Sequence, residues 1–149
     1  MLTDELLPFD GTATDHQIYA YQSKVRSVTY PAYITRPDIA RATQKLAEFL
    51  TNPSLIHEQA MDRVICYLNS TRFLAIKYNG NNDVARLFYL AGDALFADCS
   101  LTRRSTSGVL HFLFRGPSNW RCFKQLTVST STTEAELITL AILVKMLLW

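Results

Sequence analysis

The last nineteen residues, STTEAELITLAILVKMLLW (131–149), determine how the rest of this chain must be organised. Ser131, followed three positions later by Glu134, predicts a capping box at which a helix begins. From Ala135 to Trp149, twelve of fifteen residues are apolar. A helix that is apolar on all sides is normally buried, and this run is shorter than the ~20 apolar residues that cross a bilayer. We therefore expect a core helix, and a chain that ends inside its own core is expected to be part of a larger fold.

The two glutamates of this helix have different predicted roles. Glu134 is expected to reach back to the N-cap amide, which is a structural role. Glu136 lies about 200° further around the helix at 3.6 residues per turn. Its face of the helix carries apolar residues: Leu140, Leu143 and Leu147. Because a carboxylate among apolar side chains is costly unless it is paired, protonated or bound to a metal, Glu136 is the first candidate for chemistry.

Composition indicates an ordinary globular protein. The chain is 48% hydrophobic with five Gly and five Pro, which excludes a disordered chain, and its net charge of +2 does not by itself predict nucleic-acid binding. Three scattered cysteines argue for a reducing compartment and against a zinc site or a disulfide framework: Cys66, Cys99 and Cys122. Three histidines without metal-binding spacing are predicted to be structural: His16, His57 and His111. We expect an intracellular protein, cytoplasmic or nuclear, that does not enter a membrane.

The first 71 residues are predicted to form a helical segment behind a lead-in arm at 1–15. The aromatic-rich stretch 16–33 predicts a short helix that ends before Pro31. The tetrapeptide TRPD at 35–38 opens a second helix, which the Asn-Pro pair at 52–53 ends. The apolar spacing of 54–69 predicts a third helix.

After residue 71 the apolar period changes from 3.6 to 2, which is typical of strands. Strands are predicted at 72–79, 85–95, 108–114 and 119–128, with turns at 80–83 and 116–117. The short connections favour antiparallel pairing. The predicted fold class is therefore α+β, with N-terminal helices (1–71), then an antiparallel sheet and a C-terminal helix (72–149).

Asp93 is the second candidate for chemistry, because it lies toward the end of an apolar strand. A strand aspartate and the helix glutamate Glu136 could share a divalent cation, since Mg²⁺ prefers hard oxygen ligands. A solvated aspartate at the end of a strand explains Asp93 equally well. In the polar loop before the third strand, Arg103, Arg104 and Ser105 could contact phosphate, and a solvated loop again explains them equally well.

The motifs TRPDIA (35–40), RRSTSG (103–108) and STTEAEL (131–137) occur in an order and at a spacing that resemble the Pol polyprotein of copia-type LTR retrotransposons. STTEAEL stands for the family's Ser-Ser-Thr-Glu-Ala-Glu-Tyr. The resemblance covers roughly residues 20–149, which match the end of the reverse transcriptase (thumb and connection) and the first half of its ribonuclease H domain. It implies a truncated ribonuclease H-like fold.

The resemblance also implies a catalytic centre in which four carboxylates bind two Mg²⁺ ions and cleave the RNA strand of an RNA–DNA hybrid. By position, Asp93 matches the first-strand aspartate and Glu136 the glutamate of the first helix. The family's third and fourth aspartates fall beyond residue 149. Leu95, Phe96 and Cys99 stand where the family usually has an acid, a tryptophan and an aspartate.

Three hypotheses remain open for the function. They are a ribonuclease H-type enzyme, a non-catalytic fragment that acts as an interaction module, and a nucleic-acid-handling connection element in residues 1–71. Two carboxylates rarely position two Mg²⁺ ions. We therefore expect the second hypothesis to hold, with no robust hybrid cleavage and with weak or absent Mg²⁺ binding.

The unpaired edge of the Asp93 strand and the apolar C-terminal helix predict self-association. An apolar strand edge recruits another chain, and a two-fold contact is the commonest closed arrangement. We expect a homodimer that buries more than ~1,000 Å² through this edge and this helix. An RNA–DNA hybrid is a further candidate partner.

Overall fold

The structure, a computed structural model, describes residues 6–78 and 88–148. Within them the fold is α+β, as predicted, with helices before and after an antiparallel sheet. The elements in chain order are α1 (Asp15–Ile34), a 3-10 helix (Pro37–Ile39), α2 (Ala40–Ala47), α3 (Leu55–Ser70), β1 (Phe88–Leu95), β2 (Thr106–Leu113), β3 (Gly116–Lys124) and α4 (Thr132–Leu147). The chain divides into two compact units, the helical unit Met1–Ala75 and the sheet unit Ile76–Trp149.

The helical unit packs α1, α2 and α3 around one apolar core. At its centre the buried Tyr21 hydroxyl donates to the Leu46 carbonyl at 2.8 Å. Helix α1 continues past Pro31, where the sequence predicted its end. Proline lacks an amide hydrogen, but its carbonyl still accepts from the amides of Thr35 (3.0 Å) and Arg36 (2.8 Å), which closes the last turn.

The TRPD tetrapeptide forms a salt-bridged turn that leads into a shorter helix than predicted. The buried Arg36 donates two hydrogen bonds to Asp38, at 3.0 and 2.7 Å. It also donates to the carbonyl (3.2 Å) and the hydroxyl (2.6 Å) of Thr71, which follows α3. The Arg36 hydrogen bond is the largest cause that lowers the pKa of Asp38. The motif therefore ties the start of α2 to the end of α3, and α2 stops at Ala47 rather than at residue 52.

The described part of the lead-in arm lies against the helical unit. The Asn52 side chain donates to the carbonyls of Phe9 (3.0 Å) and Gly11 (2.8 Å). It also accepts from the Ala13 amide at 2.9 Å. The asparagine that was predicted only to end a helix thus fixes the backbone of the arm.

The sheet unit contains the strands in the order β1-β2-β3, and both pairings are antiparallel, as predicted. The predicted strand at 72–79 is wrong for 72–78, which contain no strand. Phe73 is 86% exposed and Leu74 59%, so the alternating pattern has no core to face. Residue 79, the predicted turn at 80–83 and residues 85–87 of the next predicted strand lie outside the described residues.

The hairpin between β2 and β3 turns at Phe114 and Arg115, not at the predicted 116–117. Both residues have positive φ, 49° and 66°, and Leu113 pairs with Gly116 across the turn. Pro117 is accommodated within β3 because the register shifts there, and proline is tolerated beside such an irregularity.

Candidate functional site

Helix α4 begins at the predicted N-cap. The Ser131 hydroxyl accepts from the Glu134 amide at 3.1 Å. The Glu134 carboxylate accepts from the amide (2.6 Å) and hydroxyl (2.7 Å) of Thr130, one residue earlier than the predicted capping box requires. These hydrogen bonds, the backbone one first, lower the pKa of Glu134. Its role is therefore structural, but with a different partner.

Only one side of α4 is buried. Ala135, Thr139 and Leu143 form this inner face. Gly92 of β1 makes the close packing feasible, because a Cβ at Gly92 would collide with Leu143 and lie 3.3 Å from the Thr139 methyl group. The helix therefore rests directly on the backbone of β1.

A buried polar network fixes the position of α4 on the sheet. The Gln125 amide donates to the Ser107 hydroxyl (3.0 Å) and to the Ala135 carbonyl (2.9 Å). The Ser129 hydroxyl donates to Gln125 at 2.9 Å, and the hydroxyls of Ser107 and Thr139 lie 2.6 Å apart. Buried polar groups are costly when unpaired, so sliding α4 along the sheet would break several of these bonds together. No motif in the sequence predicted this network, although Gln125 and Ser129 lie just before the capping motif.

The opposite side of α4 is apolar and exposed, and we call it the outer face. It consists of Leu137 (59% exposed), Leu140 (55%), Val144 (48%), Leu147 (49%) and Leu148 (77%). The prediction of a helix buried on all sides is therefore wrong for this structure. Contiguous exposed apolar patches on soluble proteins mark interaction sites, which makes the outer face the candidate functional surface.

Asp93 and Glu136, the carboxylates chosen from the sequence, are both exposed. Consecutive residues of a strand point to opposite faces of the sheet. Because Gly92 faces α4, Asp93 points to the other face. Strand alternation therefore assigns the Asp93 side chain to the face of β1 opposite the one that receives α4.

The arrangement of acidic groups bears on the metal centre that the resemblance implies. In 6–78 and 88–148, no group of three or more His, Cys, Asp or Glu side chains is placed to hold a metal ion. Two closely spaced ions need bridging carboxylates. The side chains of the described ranges therefore do not fit a two-ion centre.

The three residues predicted to contact phosphate have different environments. Ser105 is completely buried, and its hydroxyl accepts from the Ala97 amide at 3.1 Å. Arg103 and Arg104 are exposed, and the Arg103 amide donates to the Cys99 carbonyl at 2.7 Å. The two arginines remain available to an anion, whereas Ser105 holds the loop together.

Cys66, Cys99 and Cys122 are free thiols. Burial would raise the pKa of the Cys99 thiol, but hydrogen bonds from Thr102 and then Lys124 outweigh it and lower the pKa to about 7. The thiol is only 6% exposed. Large reagents therefore have little access to the Cys99 thiolate.

None of the helices in the described part of the chain is long and apolar enough to cross a membrane.

Comparison with known proteins finds several relatives. The chain is 38% identical over 121 residues to Secreted RxLR effector protein 161 of Plasmopara viticola, covering 81% of this chain and 84% of that protein. It is 33% identical over 129 residues to the retrovirus-related Pol polyprotein from transposon TNT 1-94 of Nicotiana tabacum, covering 87% of this chain and 10% of the polyprotein. It is 35% identical over 116 residues to the Pol polyprotein from transposon RE1 of Arabidopsis thaliana, covering 78% of this chain and 8% of the polyprotein. The chain thus spans a tenth or less of these two polyproteins. No protein-family model and no solved structure matches it.

Proposed function

Because the chain belongs to the family of copia-type retrotransposon Pol proteins, we propose that it is a Pol-related segment that acts as a self-associating interaction module. In this proposal it does not cleave RNA–DNA hybrids by itself. The observation that carries the proposal is the outer face of α4, a continuous row of apolar side chains on a helix whose inner face already has its own core.

The strength of this contact follows from the exposed area. Burying a half-exposed leucine or valine contributes about 1 kcal/mol. Four residues of the outer face lie in one row along the helix: Leu137, Leu140, Val144 and Leu147. On two subunits together these four side chains contribute about 8 kcal/mol. Association costs about 4–15 kcal/mol in lost translational and rotational freedom. The association is therefore expected to depend on concentration rather than to be permanent.

The edge of β1 is a second proposed contact. Among the described strands, β1 pairs only with β2. The outer face of α4 points away from the sheet, whereas this edge lies in its plane. One helix–helix contact therefore covers the outer face and leaves the edge for another partner.

Light scattering from micromolar to millimolar concentration tests the proposal. We expect the mean mass to rise toward that of a dimer, and the double variant Leu140→Lys/Leu147→Lys to remain a monomer. Leu126→Lys is the matched control, because Leu126 is 88% exposed but lies outside α4. Leu143 is unsuitable for this test because it is buried against Gly92. A parent chain that stays monomeric at all concentrations would contradict the proposal.

Ribonuclease H activity is the second candidate function. It is supported by the match of Asp93 and Glu136 to the first two carboxylates of the family's ribonuclease H domain, and both side chains are exposed. We expect no robust cleavage of a labelled RNA–DNA hybrid in Mg²⁺ or Mn²⁺, and calorimetry should show weak Mg²⁺ binding at most. Cleavage that disappears in both Asp93→Asn and Glu136→Gln would establish the enzyme instead.

An RNA–DNA hybrid is a further candidate partner, because Arg103 and Arg104 are exposed.

We propose that the protein acts in the cytoplasm or nucleus. Three free cysteines fit a reducing compartment. The word "secreted" in the name of the Plasmopara viticola relative describes that protein. Fractionation of cells that express a tagged chain tests this placement.

A further inference from the structure

The spacing of the outer face determines how two copies of α4 could fit together. Leu137, Leu140, Val144 and Leu147 follow one another at intervals of three, four and three residues. This is the a–d–a–d spacing of a coiled-coil seam, in which each side chain packs between those of a facing helix. All four side chains are about half exposed, so the seam is open along its whole length.

The spacing of the seam is palindromic, because the intervals are three, four and three residues from either end. If a second α4 faces the first in the opposite direction, Leu137 lies opposite Leu147 of the partner subunit. Leu140 then lies opposite Val144 of the partner subunit. The same two-fold operation generates the other two layers, so each of the four side chains has an apolar partner. None of the four seam side chains is charged, so none requires a charged residue opposite it.

The charges at the two ends of α4 distinguish antiparallel from parallel pairing. Glu134 and Glu136 lie near its beginning, and Lys145 lies in its last turn. A parallel pair would place two acidic ends side by side and two lysines side by side. An antiparallel pair places each acidic end beside a basic end, and it also opposes the two helix dipoles, which is favourable.

We propose that two copies of this chain associate through antiparallel pairing of their α4 helices, with Leu137 opposite Leu147 of the partner subunit. This inference rests on the proposed self-association and specifies its geometry. The antiparallel arrangement follows from the palindromic seam together with the separation of acidic and basic ends. It leaves the polar network on the inner face intact in both subunits.

Disulfide cross-linking tests this geometry in the full chain carrying Cys66→Ser, which removes the exposed native thiol. Leu137→Cys is prepared with an affinity tag and Leu147→Cys without one, and both positions tolerate exchange because they are exposed. In the antiparallel pair, residue 137 and its own copy are displaced by about 15 Å along the helix axis. We therefore expect the mixed sample to yield at least about five-fold more disulfide dimer than either variant alone, since a disulfide needs Cα atoms within about 7 Å.

Each result of this experiment decides the question. Cross-linking of Leu137→Cys with itself indicates a parallel pair and overturns the inference. A dimer by light scattering without any dependence on the introduced cysteines overturns the α4 pairing but leaves self-association standing, for example through the edge of β1. A monomer by light scattering overturns both proposals. Leu126→Cys serves as the control for random collision, and circular dichroism confirms that each variant is folded.

Discussion

The position of α4 on the sheet depends on the absence of a side chain at Gly92. A Cβ at this position would collide with Leu143. We expect Gly92→Ala to lower the free energy of unfolding by about 1–3 kcal/mol, because the buried leucine must move to make room. Urea denaturation followed by circular dichroism measures the change.

Gly108 provides the matched control for this substitution. It pairs directly with Asp93 across the sheet, and an added Cβ at Gly108 would have nothing within 4 Å. Gly108→Ala should therefore be neutral or slightly stabilising, because glycine weakens a strand. Adding Leu143→Ala to Gly92→Ala should cost less than the sum of the two single changes. Equal effects at the two glycines would contradict the proposed contact.

The turn residues Phe114 and Arg115 are in conformations that their side chains disfavour. Both have positive φ in a two-residue hairpin loop, where Asn-Gly is the preferred pair. We expect Phe114→Asn/Arg115→Gly to raise the free energy of unfolding by about 1 kcal/mol. Thermal unfolding measures this gain, and Leu126→Asn, outside the positive-φ positions, is the control for loss of an exposed apolar side chain. A destabilised double variant would show that the aromatic ring of Phe114 contributes more than the backbone conformation costs.

Sequence patterns predicted residues whose role depends on local chemistry and missed those whose role depends on tertiary packing. Ser131 was identified because an N-cap is a local feature. The position of the hairpin turn was not, because a Gly-Pro pair is a stronger turn signal than Phe-Arg. The orientation of Asp93 depends on which face of β1 receives α4, and only the contact of Gly92 with α4 reveals it.

At the scale of elements, α3 and the lead-in arm are joined through one histidine. The Ser54 amide donates to Nδ1 of the buried His57 at 2.9 Å, and the Nε2 atom lies 3.0 Å from the Leu7 carbonyl. The ring stacks on Phe49 with centroids 3.9 Å apart. Because Nδ1 accepts and Nε2 donates, this network assigns the neutral form of the ring.

The hydrogen bonds of His57 predict a loss of stability in mild acid. Burial is the main cause that lowers its pKa in the folded chain, and the hydrogen bond to Leu7 opposes this shift only in part. The unfolded chain therefore takes up the proton first. The contribution of His57 to stability is complete above its unfolded pKa of about 6.5 and is lost as the pH falls below that value.

The free energy of unfolding, measured by urea denaturation between pH 8 and pH 5, tests this prediction. We expect a fall toward pH 5 in the parent chain and a smaller fall in His57→Gln, which starts from lower stability. His16→Gln should behave as the parent, because His16 is exposed. The same slope in the parent and in His57→Gln would show that another group is responsible.

The elements themselves were predictable where a periodic pattern and a cap agree. Helix α4 begins after its predicted N-cap, Ser131, and α3 (Leu55–Ser70) nearly coincides with the helix predicted at 54–69. Helix α1 extends past Pro31 because its last turn uses the proline carbonyl and does not need the missing amide hydrogen. A strand was predicted at 72–79, but none forms at 72–78. An alternating apolar pattern does not by itself supply a surface against which a strand can be buried.

At the scale of the whole molecule, each compact unit has its own stabilising interactions. Every member of the main apolar cluster, from Leu6 to Val64, belongs to the helical unit. In the sheet unit, Gly92 and the Gln125 network hold α4 on the strands. We therefore expect the pH-dependent stability to be a property of the helical unit and the association to be a property of the sheet unit.

Expression of the two units as separate chains tests this separation. We expect 1–75 to be a helical monomer that retains the pH dependence due to His57, because the core residues that the structure describes for this unit all precede residue 75. We expect 76–149 to retain the concentration-dependent association, because the outer face of α4 lies within it. Circular dichroism and light scattering of both chains measure these properties. An unfolded 1–75 would show that its core depends on the sheet unit, and association that follows 1–75 would move the interaction surface to the helical unit.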